Sequence, residues 1–475
     1  MCTGDIEDAP GLDSLWKYTA EVRDGKIFVT APEKEVKAKV GRVIARPRAP
    51  LAATLKEKVV IVGGGSGGIH TIESLREHNF AGDIVLISQE DYAPIDRYEN
   101  CKHYWVADAR TKLSKALQDD PTKVEWRKPA ELKDDFGVEL HLATTVSAID
   151  TAAQTVTIPS GQIKYDHLVL SPGATPRRIP IPGADLPGVV TIRTPHDVKK
   201  VTEALGPNTD IIVIGTSFIG LEATGALTKK EKKSLTVVGV DPVPFEAMLG
   251  RDLGKAIQKS YEDQGVTFHM DTQIEKITAG PDGKAAQLHI KGKDPLPASL
   301  VIMGTGVAPA TSFLKDSSSF TLERDGGITV DEYLRVPGAK NVYAIGDIAH
   351  YPQFPDGNPR RVEHWNVAGN HGRHVAATIA GTPKPYKGVP IFWSSIGKGL
   401  RYVGTGAGFD DTYLDGSITD LKFVLYQAKG GKITAVASMG RDPYVSKSSE
   451  LLKLGKMPTL DEIKVGKVSN WGGQG

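Results

Sequence analysis

A strand that runs straight into a glycine-rich turn constrains the fold of this chain more than any other stretch. Residues 59–62, Val-Val-Ile-Val, form an unbroken β-branched run, which is typical of a strand covered on both faces. Gly63, Gly65 and Gly68 follow with the spacing Gly-x-Gly-x-x-Gly. The first glycine permits a tight turn, the second lets the backbone approach a pyrophosphate, and the third lets a helix pack closely on the strand. The pattern predicts a dinucleotide site at the start of that helix, where backbone N–H groups favour an anion.

A second predicted strand, residues 83–88, supports this interpretation. It ends just before Glu90, which follows Gly63 by 27 residues and stands where an acidic side chain would bind a ribose. Ser66 and Gly67 complete the predicted pyrophosphate turn. An ordinary glycine-rich loop is the alternative, and the succession of strand, glycines, helix, strand and acid favours the dinucleotide site over it.

The composition narrows the class of protein. A chain of 475 residues has room for about three domains, and its net charge of +1 provides no overall field for nucleic acid. Cys2 and Cys101 are far apart and form no Cys-x-x-Cys motif, which excludes a dithiol redox centre and a cysteine zinc site, so we expect no metal. No apolar run reaches membrane-spanning length and no signal peptide is visible. We therefore expect an intracellular protein, cytoplasmic or mitochondrial.

A second strand-and-glycine unit follows later in the chain. An apolar run leads into Gly215 and Gly220, but Ser217 stands where the middle glycine is expected. Asp241 follows the next predicted strand, 26 residues after Gly215. An internal repeat of this kind arises less readily by chance than either half alone, so the sequence predicts two dinucleotide units. The alternative for Asp241 is an ordinary turn residue at a strand end.

Other glycines and acids also lie where predicted strands end. Gly173 follows one such strand in a segment rich in glycine and proline, and Gly306 lies in a similar segment. Gly346 and Asp347 end another strand and precede a predicted helix with small residues on one face. At the N-terminus, two short predicted strands flank the turn Asp24-Gly25. Strands dominate again from about residue 387, before two late helices.

These segments together resemble the pyridine-nucleotide-disulfide reductase superfamily, whose members are flavoproteins with two dinucleotide sites. Within it, the chain is most similar to the apoptosis-inducing-factor-like reductases that carry an N-terminal Rieske domain. The resemblance rests on residues 215–222, 307–314, 397–404 and 437–447. It implies an α/β fold with two Rossmann-like dinucleotide-binding domains, arranged as in glutathione reductase, and a C-terminal α+β domain.

The resemblance also implies domain boundaries. Residues 1–48 are expected to be a remnant of the Rieske domain with a linker, because the ligands of the Rieske cluster are missing from this chain. The expected domains are the first part of an FAD-binding domain at 49–184, an NAD-binding domain at 185–309, the second part of the FAD-binding domain at 310–386, and the C-terminal domain at 387–475.

Matched position by position, the resemblance assigns roles to named residues. The catalytic candidates are Lys102, Glu222 and Phe218, with Lys102 and Glu222 paired beside the flavin and Phe218 at the nicotinamide position. The cofactor-binding candidates are Gly63, Gly65, Ser66, Gly67, Gly68, Glu90, Arg97, Lys102, Gly173, Gly346, Asp347, Glu363, His364, Trp365, Trp393, Gly215, Gly220, Asp241 and Gly306. Three alternatives stay open: a domain-interface salt bridge for the Lys102–Glu222 pair, a helix cap for His364, and ordinary core packing for Trp393.

The implied function is that of an FAD-dependent oxidoreductase, which takes hydride from NADH onto FAD and passes electrons to an iron–sulfur, quinone-like or other acceptor. That acceptor could be a Rieske protein or another iron–sulfur protein. Asp241 favours NADH over NADPH, because a carboxylate accepts hydrogen bonds from a ribose 2′-hydroxyl and repels a 2′-phosphate. The alternative is a redox-sensing or interaction protein with slow NADH turnover. We expect a monomer or dimer.

Overall fold

A computed structural model of the protein describes residues 18–33, 36, 57–95, 119–315, 317–397 and 399–466. The strands are β1 (Thr19–Arg23), β2 (Lys26–Thr30), β3 (Lys58–Val62), β4 (Asp83–Ile87), β5 (Val138–His141), β6 (Ala148–Asp150), β7 (Thr155–Ile158), β8 (Gly161–Lys164), β9 (His167–Leu170), β10 (Ala174–Pro176), β11 (Val189–Val190), β12 (Asp210–Ile214), β13 (Ser234–Val238), β14 (Thr267–His269), β15 (Ile274–Ala279), β16 (Ala285–Ile290), β17 (Leu296–Pro297), β18 (Leu300–Met303), β19 (Val307–Pro309), β20 (Ile328–Thr329), β21 (Val342–Ala344), β22 (Ala349–Gln353), β23 (Asn358–Arg360), β24 (Ile391–Ser394), β25 (Leu400–Gly404), β26 (Asp411–Ser417), β27 (Lys422–Lys429) and β28 (Lys432–Met439). The α-helices are α1 (Ser66–Glu77), α2 (Pro129–Asp134), α3 (Pro195–Glu203), α4 (Phe218–Leu227), α5 (Glu246–Leu249), α6 (Arg251–Glu262), α7 (Trp365–Ile379), α8 (Tyr444–Lys453) and α9 (Leu460–Lys464).

The first glycine turn lies at the carboxyl end of β3, inside a five-stranded parallel sheet of order β21-β9-β3-β4-β5. Val59, Val60 and Ile61 are completely buried. This explains why the strand is a continuous apolar run rather than an alternating one. β21 comes from much later in the chain, so the second glycine unit interrupts the first in sequence. The two strands predicted for the first unit, at residues 59–62 and 83–88, are confirmed as β3 and β4.

The second glycine turn lies in a second parallel sheet, of order β11-β18-β12-β13-β14. Here β12 pairs in parallel with both β13 and β18, just as β3 pairs with β4 and β9 in the first sheet. The internal repeat predicted from the sequence is therefore present as two parallel sheets, each with a glycine turn after a central strand. The predicted fold class is confirmed.

A third sheet is antiparallel, with the order β24-β25-β28-β27-β26, and α8 packs on β25 and β28. One hydrophobic cluster joins this C-terminal sheet to the second parallel sheet, since it includes Val213 and Leu221 of the second unit and Tyr402 and Phe423 of the C-terminal sheet. Burial of shared apolar surface thus holds the C-terminal sheet against the second unit. The domain boundaries stay predictions.

Helices α1 and α7 cross at glycines. A Cβ on Gly372 would lie 2.5 Å from the carbonyl oxygen of Gly67, so no side chain fits there. The hydroxyl of Ser66 donates to the carbonyl of Trp365 across 2.8 Å. The crossing therefore brings the start of α7 to the first glycine turn, although nearly 300 residues separate them in the chain.

The N-terminal hairpin is also confirmed, with β1 and β2 antiparallel around Asp24 and Gly25. Its side chains are exposed, Val22 by 74% and Ile27 by 73%.

Within the described part of the chain, no helix has the length and apolar character needed to cross a membrane.

Candidate active site

The first glycine turn is built so that only its middle position is open. Gly63 has φ of +114°, and a Cβ there would lie 2.1 Å from the carbonyl oxygen of Ser171. A Cβ on Gly68 would lie 2.2 Å from the carbonyl oxygen of Gly63, so the helix can pack on the strand only through a glycine. At Gly65, no heavy atom of the described residues lies within 4 Å of a Cβ position. The turn therefore leaves space at the point where a bound phosphate would approach the backbone.

The second turn repeats this packing with one difference. Gly215 has φ of +111° and a Cβ there would lie 2.3 Å from the carbonyl oxygen of Gly304, while Gly220 packs on Gly215 as closely as Gly68 packs on Gly63. Ser217 takes the middle position, and its exposed side chain lines a cavity. A serine in place of the middle glycine thus keeps the close contact between strand and helix, but it leaves less space at the middle position of the turn.

A cavity of about 930 Å³ lies over the first turn. Predicted cofactor-binding residues that line it are Gly63, Gly65, Ser66, Gly67, Glu90, Gly173, Gly346, Asp347, Glu363 and Trp365. Gly68 lies behind this wall, against the strand. The fold thus gathers onto one cavity residues that the sequence spreads over some 300 positions.

Asp347 is held at this cavity from two sides. Its carboxylate lies 3.6 Å from the guanidinium of Arg193, which also lines the cavity, and its backbone carbonyl accepts a hydrogen bond from Arg361 at 2.9 Å. The preceding N–H, of Gly346, donates to Nδ1 of His371 at 3.2 Å. Burial lowers the pKa of His371 to about 3, so this imidazole is neutral at physiological pH and can accept that bond.

The segment Glu363–Trp365 has three distinct environments. Glu363 accepts from Arg361 at 2.5 Å. His364 accepts the backbone N–H of Asn366 on Nδ1 at 3.1 Å and so caps α7, which is the structural alternative that the sequence left open. Trp365 stacks on Trp126 with ring centroids 5.5 Å apart.

A second cavity, of about 920 Å³, lies over the second turn. Predicted residues that line it are Gly215, Ser217, Phe218, Asp241 and Gly306. Three acidic residues line it, Asp241, Glu246 and Asp271, and no lysine or arginine of the described residues does. Glu246 forms an ion pair with Arg251 at 3.2 Å. The backbone N–H of Asp271 donates to the carbonyl of Asp241 at 3.0 Å, so two of these acids belong to one connected pair of loops.

Phe218 begins α4 at the mouth of the second turn and lies between two other aromatic rings. Its centroid is 4.8 Å from that of Phe245 and 5.0 Å from that of Phe392, with the latter pair edge to face. Phe392 also lies 5.0 Å from the ring of His364. A row of aromatic contacts therefore runs from the second cavity to the start of α7.

Glu222, one turn further along α4, is 6% exposed. Its carboxylate accepts hydrogen bonds from the hydroxyl of Ser394 at 2.6 Å and from the backbone N–H of Ser395 at 3.3 Å. The described contacts thus connect Glu222 to the C-terminal sheet. Its predicted partner Lys102, and Arg97, lie outside the described residues.

Trp393 lies between the two residues of β24 that face the second unit. Phe392 contacts Phe218 and Ser394 contacts Glu222, and since side chains alternate along a strand, Trp393 points to the other face. Neither cavity includes Trp393 among the described residues that line it. The neighbouring ring, Phe392, occupies the place beside Phe218.

Comparison with known proteins agrees with this architecture. The sequence profile of the pyridine nucleotide-disulphide oxidoreductase family matches residues 57–372. The chain belongs to this family. It is 33% identical to human apoptosis-inducing factor 3 over 98% of this chain and 74% of that protein. It is also 33% identical to rhodocoxin reductase of Rhodococcus erythropolis, over 81% of this chain and 86% of the relative. The crystal structure of a ferredoxin reductase from Rhodopseudomonas palustris superposes with a TM-score of 0.77 at 28% identity, covering 86% of this chain and 97% of that one.

Membership makes this protein an FAD-dependent NAD(P)H oxidoreductase, and the first cavity fits FAD. The helix N-terminus and the open Gly65 position suit a pyrophosphate, Glu90 suits a ribose hydroxyl, and the aromatic Trp365 suits a flat ring system. When bound, FAD supplies a ring that accepts hydride, and the chain supplies binding and orientation.

Sequence reasoning missed several residues that line this oxidoreductase's two cavities or that contact the residues lining them. No sequence motif includes Arg193, His371 or Trp126. Each contacts a candidate site residue that is distant from it in the sequence: Asp347, Gly346 and Trp365 respectively. One signal was available for Arg193, since Thr194 and Asp197 have the spacing of a helix N-terminal capping box and Pro195 stands at the first helical position. Phe392 directly precedes Trp393, which the resemblance gave as a cofactor-binding candidate.

Proposed function

We propose that this protein is an NADH-dependent reductase that delivers electrons to an iron–sulfur protein. The acidic lining of the second cavity carries the proposal. Asp241 and Asp271 would repel the 2′-phosphate of NADPH, and the described residues that line the cavity include no lysine or arginine that would attract it. Glu246 adds less to this repulsion, because its carboxylate is paired with Arg251 at 3.2 Å. A ribose 2′-hydroxyl, by contrast, can donate to a carboxylate.

Relatives support the choice of acceptor. One is named for rhodocoxin and another for ferredoxin, and both cover most of this chain. An iron–sulfur protein accepts one electron at a time, and FAD is a cofactor that links such an acceptor to a two-electron hydride donor.

Within this proposal the residues of α4 have separate tasks. Phe218 lies at the position that the nicotinamide must enter, and its ring has to move aside when NADH binds. Glu222 is oriented by Ser394 and would hold Lys102 near the site of hydride transfer. Glu363, His364 and Trp365 would contact or support the same ring system from the start of α7.

The decisive experiment is anaerobic stopped-flow mixing of the FAD-loaded protein with NADH or NADPH, followed by a panel of acceptors. We expect NADH to bleach the flavin absorbance with at least tenfold higher efficiency than NADPH, and a [2Fe–2S] ferredoxin to sustain turnover. Equal efficiencies would refute the nucleotide assignment. Turnover with quinones but with none of several iron–sulfur proteins would refute the acceptor assignment.

A second candidate function is a redox sensor that NADH reduces slowly. The packing of Phe218 between Phe245 and Phe392 favours it, because moving this ring breaks two aromatic contacts. Slow reduction to a long-lived complex, together with a change in oligomeric state, would support the sensor over the reductase.

A further inference from the structure

The C-terminal sheet reaches the second cavity through a buried hydrogen-bonded chain. Gln427 of β27 is completely buried. Its side-chain oxygen accepts from the hydroxyl of Tyr402 at 2.9 Å, and its side-chain nitrogen donates to the backbone carbonyl of Met248 at 2.5 Å. Met248 belongs to α5 and lines the second cavity. A side chain 179 positions away in sequence thus holds part of the cavity wall.

The donor and the acceptor of each hydrogen bond in this network can be assigned. The backbone N–H of Gly406 donates to the hydroxyl oxygen of Tyr402 at 2.9 Å, and burial raises the pKa of Tyr402 to about 12, so the hydroxyl keeps its proton and donates it to Gln427. The amide of Gln427 therefore presents its NH₂ group to Met248. A Cβ on Gly406 would lie 2.1 Å from the side-chain oxygen of Gln427, so this close arrangement requires glycine.

The backbone of β27 is irregular at this point. The pairing of β27 with β28 shifts register between Gln427 and Ala428. A β-bulge re-aims the side chains of a strand, and bulges occur often beside active sites. The irregularity thus accompanies the side chain that leaves the sheet to contact the second unit.

The wall that Gln427 holds is strained. Phe245, which precedes α5 and also lines the cavity, has φ of +55°, a left-handed conformation that is unfavourable for an aromatic residue. Such a conformation persists only where the surroundings enforce it. A polar connection from Tyr402 through Gln427 to Met248 enforces it here, and this connection does not depend on Phe218, whose ring has to move aside when NADH binds.

We propose that Gln427 is a positioning residue for the nicotinamide dinucleotide, holding the Phe245–Met248 wall of the second cavity in the shape that binds it. Loss of the bond to Met248 lets this wall leave its strained conformation, and the nucleotide must then reorder it on binding. The expected consequence is weaker nucleotide binding with little change in the limiting rate of reduction. The inference rests on the proposed function only for the identity of the nucleotide.

The test compares Gln427→Met with Gln353→Met. Gln353 is a matched control, because it too is buried, accepts from a tyrosine hydroxyl (Tyr351) and donates to a backbone carbonyl (Gly388), but it does not line the second cavity. For each FAD-loaded variant, calorimetry measures the Kd for NAD⁺, and stopped-flow measures the Kd for NADH and the limiting rate.

We expect Gln427→Met to raise both Kd values at least fivefold and to change the limiting rate less than twofold. The control variant Gln353→Met should keep both Kd values within twofold of wild type. Kd values for Gln427→Met within twofold of wild type, or equal increases in both variants, would overturn the inference. If Gln427→Met does not fold, Tyr402→Phe, which keeps the ring and removes the hydroxyl, is judged by the same criteria with a threefold threshold. If the wild-type protein binds NAD⁺ but NADH does not reduce it, the proposed function fails, and the NAD⁺ measurements still decide the inference.

Discussion

The hydroxyl of Ser394 donates a 2.6 Å hydrogen bond to the carboxylate of Glu222, although 172 positions separate the two residues. The bond joins β24 of the C-terminal sheet to α4, the helix that begins at the second glycine turn. A buried carboxylate needs such donors, because burial without them would disfavour its ionised form.

Replacement of Ser394 by Ala should therefore destabilise the protein by about 1.5–3 kcal/mol, the usual contribution of a hydrogen bond to a charged group. It should also slow reduction by NADH, since Glu222 would lose its orientation. Ser438→Ala is a suitable control, because Ser438 is a buried serine of the same sheet whose hydroxyl has no hydrogen-bond partner among the described residues. Chemical unfolding of both variants measures the difference. Equal stabilities would show that the bond to Glu222 contributes nothing.

Phe218→Ala should retain FAD and bind NADH at least fivefold more tightly than wild type. Each aromatic contact of Phe218 is worth about 0.5–1.5 kcal/mol, and the wild-type protein must break two of them when the ring moves aside. The variant has no ring to displace. Stopped-flow titration with NADH measures this, and an unchanged Kd and rate would mean that Phe218 is ordinary packing.

Asp241→Ala should abolish the preference for NADH. The expected tenfold preference corresponds to about 1.4 kcal/mol, which one carboxylate beside a ribose can supply. Asp263, an exposed residue at the end of α6, provides the control, because it does not line the second cavity and Asp263→Ala should leave the ratio of the two efficiencies unchanged. A preserved NADH preference in Asp241→Ala would assign nucleotide selectivity to another residue.

Gly65→Ala and Gly68→Ala in the first glycine turn should have different effects, the first on FAD affinity and the second on the stability of the apoprotein. Gly65 has φ of −85° and open space around its Cβ position, so Gly65→Ala should fold without loss of stability while its methyl group obstructs the pyrophosphate. FAD affinity should fall by tenfold or more. Equilibrium dialysis against FAD and thermal unfolding of the apoprotein separate the two effects.

Gly68→Ala should instead destabilise the apoprotein itself, by about 1–3 kcal/mol, because its Cβ would lie 2.2 Å from a backbone oxygen that cannot move independently of β3. If both variants lost FAD while the unfolding of both apoproteins stayed at the wild-type temperature, the packing role of Gly68 would be wrong.

Asp325 provides a prediction of pH dependence. Burial alone would raise the pKa of its carboxyl, but hydrogen bonds from the Gly327 N–H, Arg361 and His350 outweigh this and hold the pKa well below 3.8. A carboxyl whose pKa is lower in the folded state contributes stability above the unfolded-state pKa, and this contribution is lost as the pH falls through the folded-state value. Asp325→Asn should therefore lower stability by about 1–2 kcal/mol at pH 5–7, allowing for the partial exposure of the group.

The difference between wild type and Asp325→Asn should shrink as the pH falls below about 4, where the unfolded carboxyl becomes protonated. Thermal unfolding midpoints between pH 3 and pH 7 measure it. A difference that stays constant down to pH 3, or grows, would contradict the assignment. Arg361 also contacts the Asp347 carbonyl and Glu363, so the variant should weaken FAD binding as well.

Much of the fold could be predicted from local sequence, because the features that specify it are local. A continuous β-branched run identified β3 and β12, and glycine spacing identified the turns after them. The positive φ of Gly63 and Gly215 and the close approach of Gly68 and Gly220 leave no alternative to glycine. These constraints act over a few residues and therefore appear directly in the pattern.

The partners of the site residues were less predictable. The sequence indicated Glu222 but not its partner Ser394, and it indicated Phe218 but not its neighbour Phe392. A shift of one residue along a strand moves a side chain to the opposite face, and periodicity alone does not say which face of β24 meets the second unit. His364 was open between two roles, and the structure shows the helix cap.

The sequence by itself determined the two strand–turn–helix units, their glycines and the acids that end their second strands, because hydrogen bonding and steric clashes of neighbouring residues specify these features. Only the tertiary structure decided that Arg193 meets Asp347, that His371 supports Gly346, and that Gln427 reaches Met248. Those contacts depend on how three sheets and the α1–α7 crossing pack against one another, and burial of shared apolar surface has no preferred spacing along the chain.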